Sequence, residues 1–549
     1  MKMAIKHESR CIVTPLDYSV DEIDPRKWHH EVDTDSGTET LRDSRPGSHG
    51  QTVQQGLGWQ LDDAENPYNW PASKKGLILF VLILAAFNST VGSALPSMAI
   101  AKIADEFGIK SPLQKALPIS LFVLGYVFGP LAWAPLSEHM GRRLLTLATF
   151  ASFMLFTMAC ALAPTWWALL VFRTVAGVFG SSPLSIVAGI LADIYAQPQT
   201  RGRAFAIFTP AIALGGCVAP VVSAMTSSTI GWRWAFWFSL IFAGGTLLAL
   251  FFLLPETLGS VLLARHMSAH SANAMVVKTQ DTSPPVLAVM LGRPLQMLMC
   301  EPIVSATCAY LALSYAIFYV SFQVFPLVFQ GLYDLPPSVA GLCFLSIGFG
   351  AFLTLPVLWY WDVVVGRART RRAAWAEREE YRRMPPVILG GPLFALSLFW
   401  LGFSARRSVH FAVPLMAGVP FGAGFVFTYT ALANYLTDAY RVFAASAHAA
   451  VSCSRSVFAV LLPLISPLLF ARLGIGGACA LLGGLSTAMC LVPFVFLYKG
   501  PSLRRRSRFA VALSQLEEEN QCRTGDIPRF SPTGEDASFG SRRPTNISV

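Results

Sequence analysis

Twelve runs of predominantly apolar residues recur along this chain, near 77–99, 116–136, 144–163, 166–191, 204–225, 233–254, 303–326, 339–361, 387–404, 410–436, 446–469 and 475–497. A helix needs roughly 20 such residues to cross the hydrocarbon core of a bilayer. Lipid offers the backbone no hydrogen-bond partner, so each run is predicted to be a spanning helix. Composition points the same way: 54% of the 549 residues are hydrophobic and 13% are charged, against about 25% charged in soluble domains. Mean hydropathy is +0.51. So few charges cannot cover a surface of this size in water.

The net charge of +10 does not indicate a nucleic-acid partner, because Lys and Arg sit in short clusters between the apolar runs, a pattern of membrane topology. Lys74 and Lys75 precede the first run; Arg142 and Arg143 follow the second; Arg201 and Arg203 follow the fourth. Seven arginines between Arg367 and Arg383 follow the eighth, and Lys499 and Arg504–Arg506 follow the last. The alternate loops hold fewer, among them Lys102, Lys110, Arg233 and Arg406. The positive-inside rule then places both termini in the cytoplasm. The sequons at Asn88 and Asn546 are expected to go unglycosylated, one inside a helix and one in a cytoplasmic tail. The ten cysteines are scattered singly with no ligand-like spacing, and read as small hydrophobes.

The layout is six spans, an interruption, and six more. Residues 1–72 are polar and are expected to be a disordered tail, leaving the first span as an uncleaved signal anchor. Residues 73–255 form a first six-helix bundle, 256–301 a cytoplasmic linker, 302–500 a second bundle, and 501–549 a basic, mostly disordered tail. The fourth and tenth spans both carry Gly and Pro inside (Gly177, Gly180, Pro183; Pro414, Pro420, Gly422, Gly424). Such interruptions at corresponding places in two halves point to a transport pathway.

The stretch GYVFGPLAWAPLSEHMGRR (Gly125–Arg143) resembles the loop motif between the second and third helices of the major facilitator superfamily. RTVAGVFGSSPLSIVAGILADIY (Arg173–Tyr195) is similar to the fourth helix of its fungal twelve-spanner drug:proton antiporters, the polyamine and cycloheximide exporters. GWRWAFW (Gly231–Trp237), LPETLGSVLL (Leu254–Leu263), ANYLTDAYRVFAASAHAA (Ala433–Ala450) and SRSVFAVLLPL (Ser454–Leu464) continue the likeness in order. It implies an all-α membrane protein of two six-helix bundles, a monomer in the plasma membrane that exports a fungal secondary metabolite, toxin or drug in exchange for protons, with no cofactor. The chain departs from the group in its fifth helix, where LGGCVAPVVSA replaces repeated Gly-Pro and a Gly-Gly, and in its seventh, where Ser-Phe-Gln ends at Gln323 in place of Phe-Phe-Glu.

Charges inside a spanning helix cost at least about 2.5–3.5 kcal/mol and are functional candidates by default. Arg173 lies in the fourth span, roughly 10 Å deep at 1.5 Å per residue, and Arg455 in the eleventh. Each either lines a pathway or only ties helices together. His448 and Ser452 precede Arg455 by seven and three residues, so one helical face presents all three. An imidazole titrates near pH 6.5 unperturbed, which makes His448 a candidate proton carrier. Gln323, Asn88, Tyr315 and Tyr319 complete the expected substrate pathway, with Phe318, Phe322, Phe427 and Tyr429 as further aromatic candidates.

No Asp or Glu falls in the middle of any span. Glu138, Asp193, Glu256, Glu301, Asp362 and Asp438 all lie at predicted cytoplasmic helix ends, within reach of Arg142, Arg143, Arg201, Arg203 and Arg441. In the superfamily such clusters hold the cytoplasmic gate shut, and Glu138, Arg142, Arg143 and Asp193 are expected to form it here. A cavity holding buried arginines without an opposing carboxylate favours an anionic or neutral solute over a polyamine. A nutrient facilitator or symporter, and a membrane receptor that binds solute without moving it, stay open as alternatives. An enzyme does not, because no nucleophile–base pair, metal-ligand cluster or phosphate-cradling loop is present.

Overall fold

The computed structural model describes residues 63, 65–259, 261–263, 284–440 and 444–506, and among them every regular element is helical. The membrane-length helices are α1 (Ala72–Ala94), α2 (Pro112–Met140), α3 (Arg142–Ala161), α4 (Trp166–Ile194), α5 (Gln199–Thr229), α6 (Arg233–Leu253), α7 (Pro302–Leu332), α8 (Pro337–Thr370), α9 (Glu379–Ser404) and α10 (Ala412–Tyr440). A last apolar stretch, Ser446–Gly500, has 55 residues, about twice what one crossing requires. It divides at Gly474, whose φ of 67° and ψ of 177° lie in a region open only to glycine. The two parts, α11 (446–473) and α12 (475–500), complete the twelve crossings.

The start of α1 corrects the sequence reading, which ran the disordered tail through residue 72. Asn66 accepts a hydrogen bond from the Tyr68 N–H and caps a short 3-10 turn, Pro67–Asn69. Trp70 is buried, and the Lys74 ammonium lies 3.6 Å from its ring centre. An aromatic side chain worth burying holds this polar segment against the bundle. The rest of the N-terminal tail, residues 260 and 264–283 of the interruption between the halves, the C-terminal tail beyond residue 506 with Asn546, and Arg441 lie outside the described residues.

Proline shapes the two helices singled out above. α4 breaks at Ser181, between Pro183 and the carbonyl of Phe179 that its ring would strike; α10 breaks at Ala417, between Pro420 and Met416. Glycine then lets each broken helix approach a neighbour. A methyl group on Gly125 or Gly177 would overlap the backbone of the facing helix at the α2–α4 crossing, and one on Gly350 or Gly422 would do so at the α8–α10 crossing. Small residues at these contacts permit backbone-to-backbone packing without a hydrophobic drive. The second crossing repeats the first six helices later.

The apolar packing is unequal at the two ends of the molecule. At the end bearing α1's C-terminus, one continuous cluster joins both halves, from Leu95, Trp166 and Trp232 to Phe325, Phe329 and Phe344. At the opposite end, which carries the arginine-rich loops, there are two separate clusters. One belongs to α1–α6, around Phe150 and Ile190, and one to α7–α12, around Tyr435 and Leu311. Between them lies open space.

Candidate functional site

That space is a cavity of about 860 Å³, within the range of small-molecule sites. Its deep part is aromatic and hydroxylic: Tyr315, Phe318 and Tyr319 of α7, Phe425 and Tyr429 of α10, Thr90 and Ser93 of α1, and Ser452 and Arg455 of α11. Phe318 stacks on Phe425 with ring centres 4.9 Å apart. The Tyr319 hydroxyl donates to Ser93 Oγ across the two halves at 3.0 Å, closing the cavity toward the continuous core.

Arg455 is 8% exposed. One terminal nitrogen donates to the Tyr429 hydroxyl at 2.7 Å and the other reaches Ser452 Oγ at 3.5 Å. Its guanidinium carbon sits 4.7 Å from the Tyr315 ring centre and 5.5 Å from that of Tyr429. Its Nε has no partner among the described residues. The charge is therefore solvated by two phenol rings and two hydroxyls, with no carboxylate against it among the described residues. His448 stands two turns nearer the arginine-rich end on the same face, with Nε2 2.8 Å from Thr437 Oγ1. The face predicted from the spacing of His448, Ser452 and Arg455 does line the cavity.

Three other expected pathway residues do not. Arg173, 2% exposed, lies behind Ser93 and turns all three of its nitrogens to backbone carbonyls: Nε to Pro118 at 2.9 Å, and the terminal nitrogens to Gly92 at 2.6 Å and Ser93 at 2.9 Å. Its plane rests 4.3 Å from the Phe122 ring centre. It ties α1 and α2 to α4. Gln323 binds the Pro463 carbonyl and the Ser466 hydroxyl, joining α7 to α11. Asn88 donates to Leu84 O and Thr246 Oγ1, joining α1 to α6. Each reaches at least one hydrogen-bond partner in a neighbouring helix, although Asn88 Oδ1 is left without one among the described residues. Of the aromatic candidates, Phe322 and Phe427 also lie off the cavity wall.

Toward its mouth the cavity wall becomes charged. Arg142 donates to Asp193 Oδ2 at 3.1 Å and to Ser137 Oγ at 2.5 Å, and lies 3.9 Å from Glu138. Arg143 turns away: its guanidinium binds the Phe251 carbonyl, and only its backbone N–H shares in the cluster. Of the four residues expected at the gate, the side chains of Glu138, Arg142 and Asp193 come together and that of Arg143 does not.

Two pairings were not specified by the sequence, although it placed both carboxylates, Glu256 and Asp438, at helix ends among basic residues. Glu256 accepts the Arg142 N–H at 2.9 Å and the Arg143 N–H at 3.2 Å, filling the exposed donors at the start of α3. In the second half, Arg382 and Arg383 at the start of α9 bind Asp438 near the end of α10, at 3.5 and 2.7 Å. This repeats, six helices on, the pairing of Arg142 at the start of α3 with Asp193 at the end of α4. Aligning the two halves on their aspartates would have found it. A further pair, Arg203 of α5 with Asp362 of α8 at 2.6 Å, bridges the halves at this end.

The sequence profile of the Major Facilitator Superfamily matches residues 78–452. This chain belongs to that superfamily. Efflux pump FUB11 of Gibberella moniliformis is 34% identical over 463 residues, covering 83% of this chain and 77% of that protein. The major facilitator superfamily multidrug transporter mdrA of Aspergillus fumigatus is 32% identical, with 82% and 75% covered. The MFS-type transporter penM of Penicillium rubens is also 32% identical, with 82% and 89% covered. Among solved structures, the proton:xylose symporter XylE bound to 6-bromo-6-deoxy-D-glucose superposes with a TM-score of 0.55 over 78% of this chain and 96% of XylE, at 15% identity. That likeness is one of fold. The major facilitator fold, two six-helix bundles with a cavity between them, accounts for the repeated glycine crossings and repeated Arg–Asp clusters. The chain is a membrane transporter of this superfamily and not an enzyme.

Proposed function

We propose that this transporter exports a small organic solute, amphiphilic and anionic or neutral, loading it from the cytoplasm. The observation that carries the reading is Arg455: a buried cation at the deep end of the cavity, faced by phenols and hydroxyls rather than a carboxylate. In a low-dielectric pocket an uncompensated cation attracts an oxygen-rich anion and repels an amine. The stacked aromatic wall supplies area for the apolar part of the solute. The efflux and multidrug names of the relatives support export over uptake.

The positive-inside rule assigns the arginine-rich end, and with it both termini and the cavity mouth, to the cytoplasm. A cavity closed by the continuous core and open at that end is then in the loading state, as an exporter requires. We assign the chain to the plasma membrane as a monomer, with residues 73–255 and 302–500 as its two moving bundles. Proton coupling, if it drives the cycle, runs through His448 or the carboxylates at the mouth, Glu138, Asp193, Glu379 and Asp438, since none lies deeper.

The test compares solutes inside cells and in the medium, with and without the protein, followed by flux of any depleted solute into proteoliposomes. Export that depends on Arg455 supports the reading. A polyamine as the preferred solute would sink it, and equal counterflow in both directions without a pH gradient would instead favour a facilitator.

A further inference from the structure

A second cavity, of about 340 Å³, opens between α5 and α8 beside the mouth of the first. Its lower wall holds four guanidinium groups, from Arg203, Arg369, Arg382 and Arg383: Arg203 pairs with Asp362, Arg382 and Arg383 share Asp438 behind the wall, and the set keeps an excess of positive charge. Its upper wall is apolar and faces outward: Ile207 is 42% exposed and Trp359 57% exposed. In a chain that crosses a membrane, such exposed large side chains lie against acyl chains. The Arg203 guanidinium sits 5.4 Å from the Trp359 ring centre, at the level where one wall gives way to the other. Tryptophan prefers that boundary between hydrocarbon and headgroup.

We propose that this groove is a binding site for an anionic phospholipid, its phosphate among the arginines and one acyl chain along Ile207 and Trp359. Three observations select a lipid over a soluble anion. The groove opens sideways onto the lipid-facing surface, its charge lies at the helix ends, and its apolar wall runs along the spans. Basic pockets between spanning helices on the arginine-rich side are the recurrent form of such sites. Arg369 is exposed and makes no ion pair among the described residues, so its charge is free for a ligand. Arg203 is shared, because its partner Asp362 spans the two halves. A headgroup that draws Arg203 away weakens a tie between the bundles.

Native mass spectrometry of the purified full-length protein, titrated with dioleoyl phosphatidylglycerol or dioleoyl phosphatidylcholine, tests this. Phosphatidylglycerol should bind the wild type at least tenfold more tightly. Arg369→Glu should lower that preference by roughly tenfold, given about 1 kcal/mol per basic residue near such a surface. Ile207→Trp, which fills the apolar wall and leaves every charge in place, should also lower phosphatidylglycerol binding. Asp362→Asn removes the competing carboxylate and should tighten it. A diazirine on the acyl chain of the same lipid should label the segment containing Trp359. Equal binding of the two lipids overturns the proposal, as does selectivity that survives both Arg369→Glu and Ile207→Trp. Displacement by glycerol 3-phosphate at concentrations matching the lipid also overturns it, and assigns the groove to a soluble phosphate.

Discussion

Two arginines buried at similar depth, one in each bundle, have been put to opposite uses. Arg173 meets three backbone carbonyls and an aromatic face, so each of its three nitrogens has a partner inside the protein. Arg455 meets one phenol at 2.7 Å, one hydroxyl at 3.5 Å and leaves its Nε unpartnered. Burial alone does not separate them, at 2% and 8% exposed. What separates them is saturation. A charge with a fixed partner on every nitrogen holds helices together, whereas one with a nitrogen left over beside a cavity can recruit a ligand.

Arg173→Ala would sharpen this contrast most. Hydrogen bonds to a charged group are worth about 1.5–3 kcal/mol each, and three carbonyls would lose theirs at once. Folded yield in detergent should collapse, and Arg173→Lys should not restore it, since one ammonium cannot reproduce a planar fork. Normal yield and melting temperature for Arg173→Ala would break the comparison. Arg455→Ala comes next: export of an anionic solute should fall about a hundredfold, or about 2.7 kcal/mol, while the melting temperature stays within about 2 °C. Loss of folded protein in place of lost flux would make Arg455 a tie like Arg173.

His448→Gln is expected to act more weakly. Maximal export should change less than about threefold while its pH profile flattens, because the ring stands on Arg455's face but outside its hydrogen-bond shell. An unchanged profile at constant flux moves the proton site to the carboxylates of the mouth. The smallest effect sets the scale for an arginine in water. Arg233 pairs with Glu106 at 2.6 Å, both partly exposed. The Trp232 indole N–H and then Arg233 hold the Glu106 carboxyl below its ordinary range. A lowered carboxylate stabilises the fold above its unfolded value and loses that contribution as pH falls through the folded one. Glu106→Gln should therefore lower the melting temperature by about 1 °C at pH 7, and by progressively less as the pH falls through the folded value. A larger drop, or one that persists at low pH, would show that this exposed pair contributes more than its solvation allows.

The spans, the division into six and six, and the glycine- and proline-broken fourth and tenth helices were legible because bilayer thickness and backbone chemistry act on the local sequence. The face carrying His448, Ser452 and Arg455 was legible for the same reason: helical periodicity needs no knowledge of neighbours. The prolines announced the breaks at Ser181 and Ala417. The site was only half legible. Arg173, Gln323 and Asn88 looked like pathway residues because they are polar within apolar runs, and that is true of a tie as much as of a ligand. Arg143 looked like a gate residue because it adjoins Arg142, yet adjacent helical side chains point about 100° apart. The Arg382–Arg383–Asp438 cluster went unread because the loop motif that singled out Arg142 and Asp193 has its resemblance only in the first half, and Asp438 was set beside its sequence neighbour Arg441.

The sequence by itself determined that this chain must live in lipid, how many times it crosses, and that two arginines lie inside its spans, because transfer free energy and helix geometry are properties of short segments. Only the tertiary structure decided which buried charges are saturated. Whether a guanidinium finds three carbonyls or an open cavity depends on which helices lie against it, and that is fixed by packing between residues the chain keeps far apart.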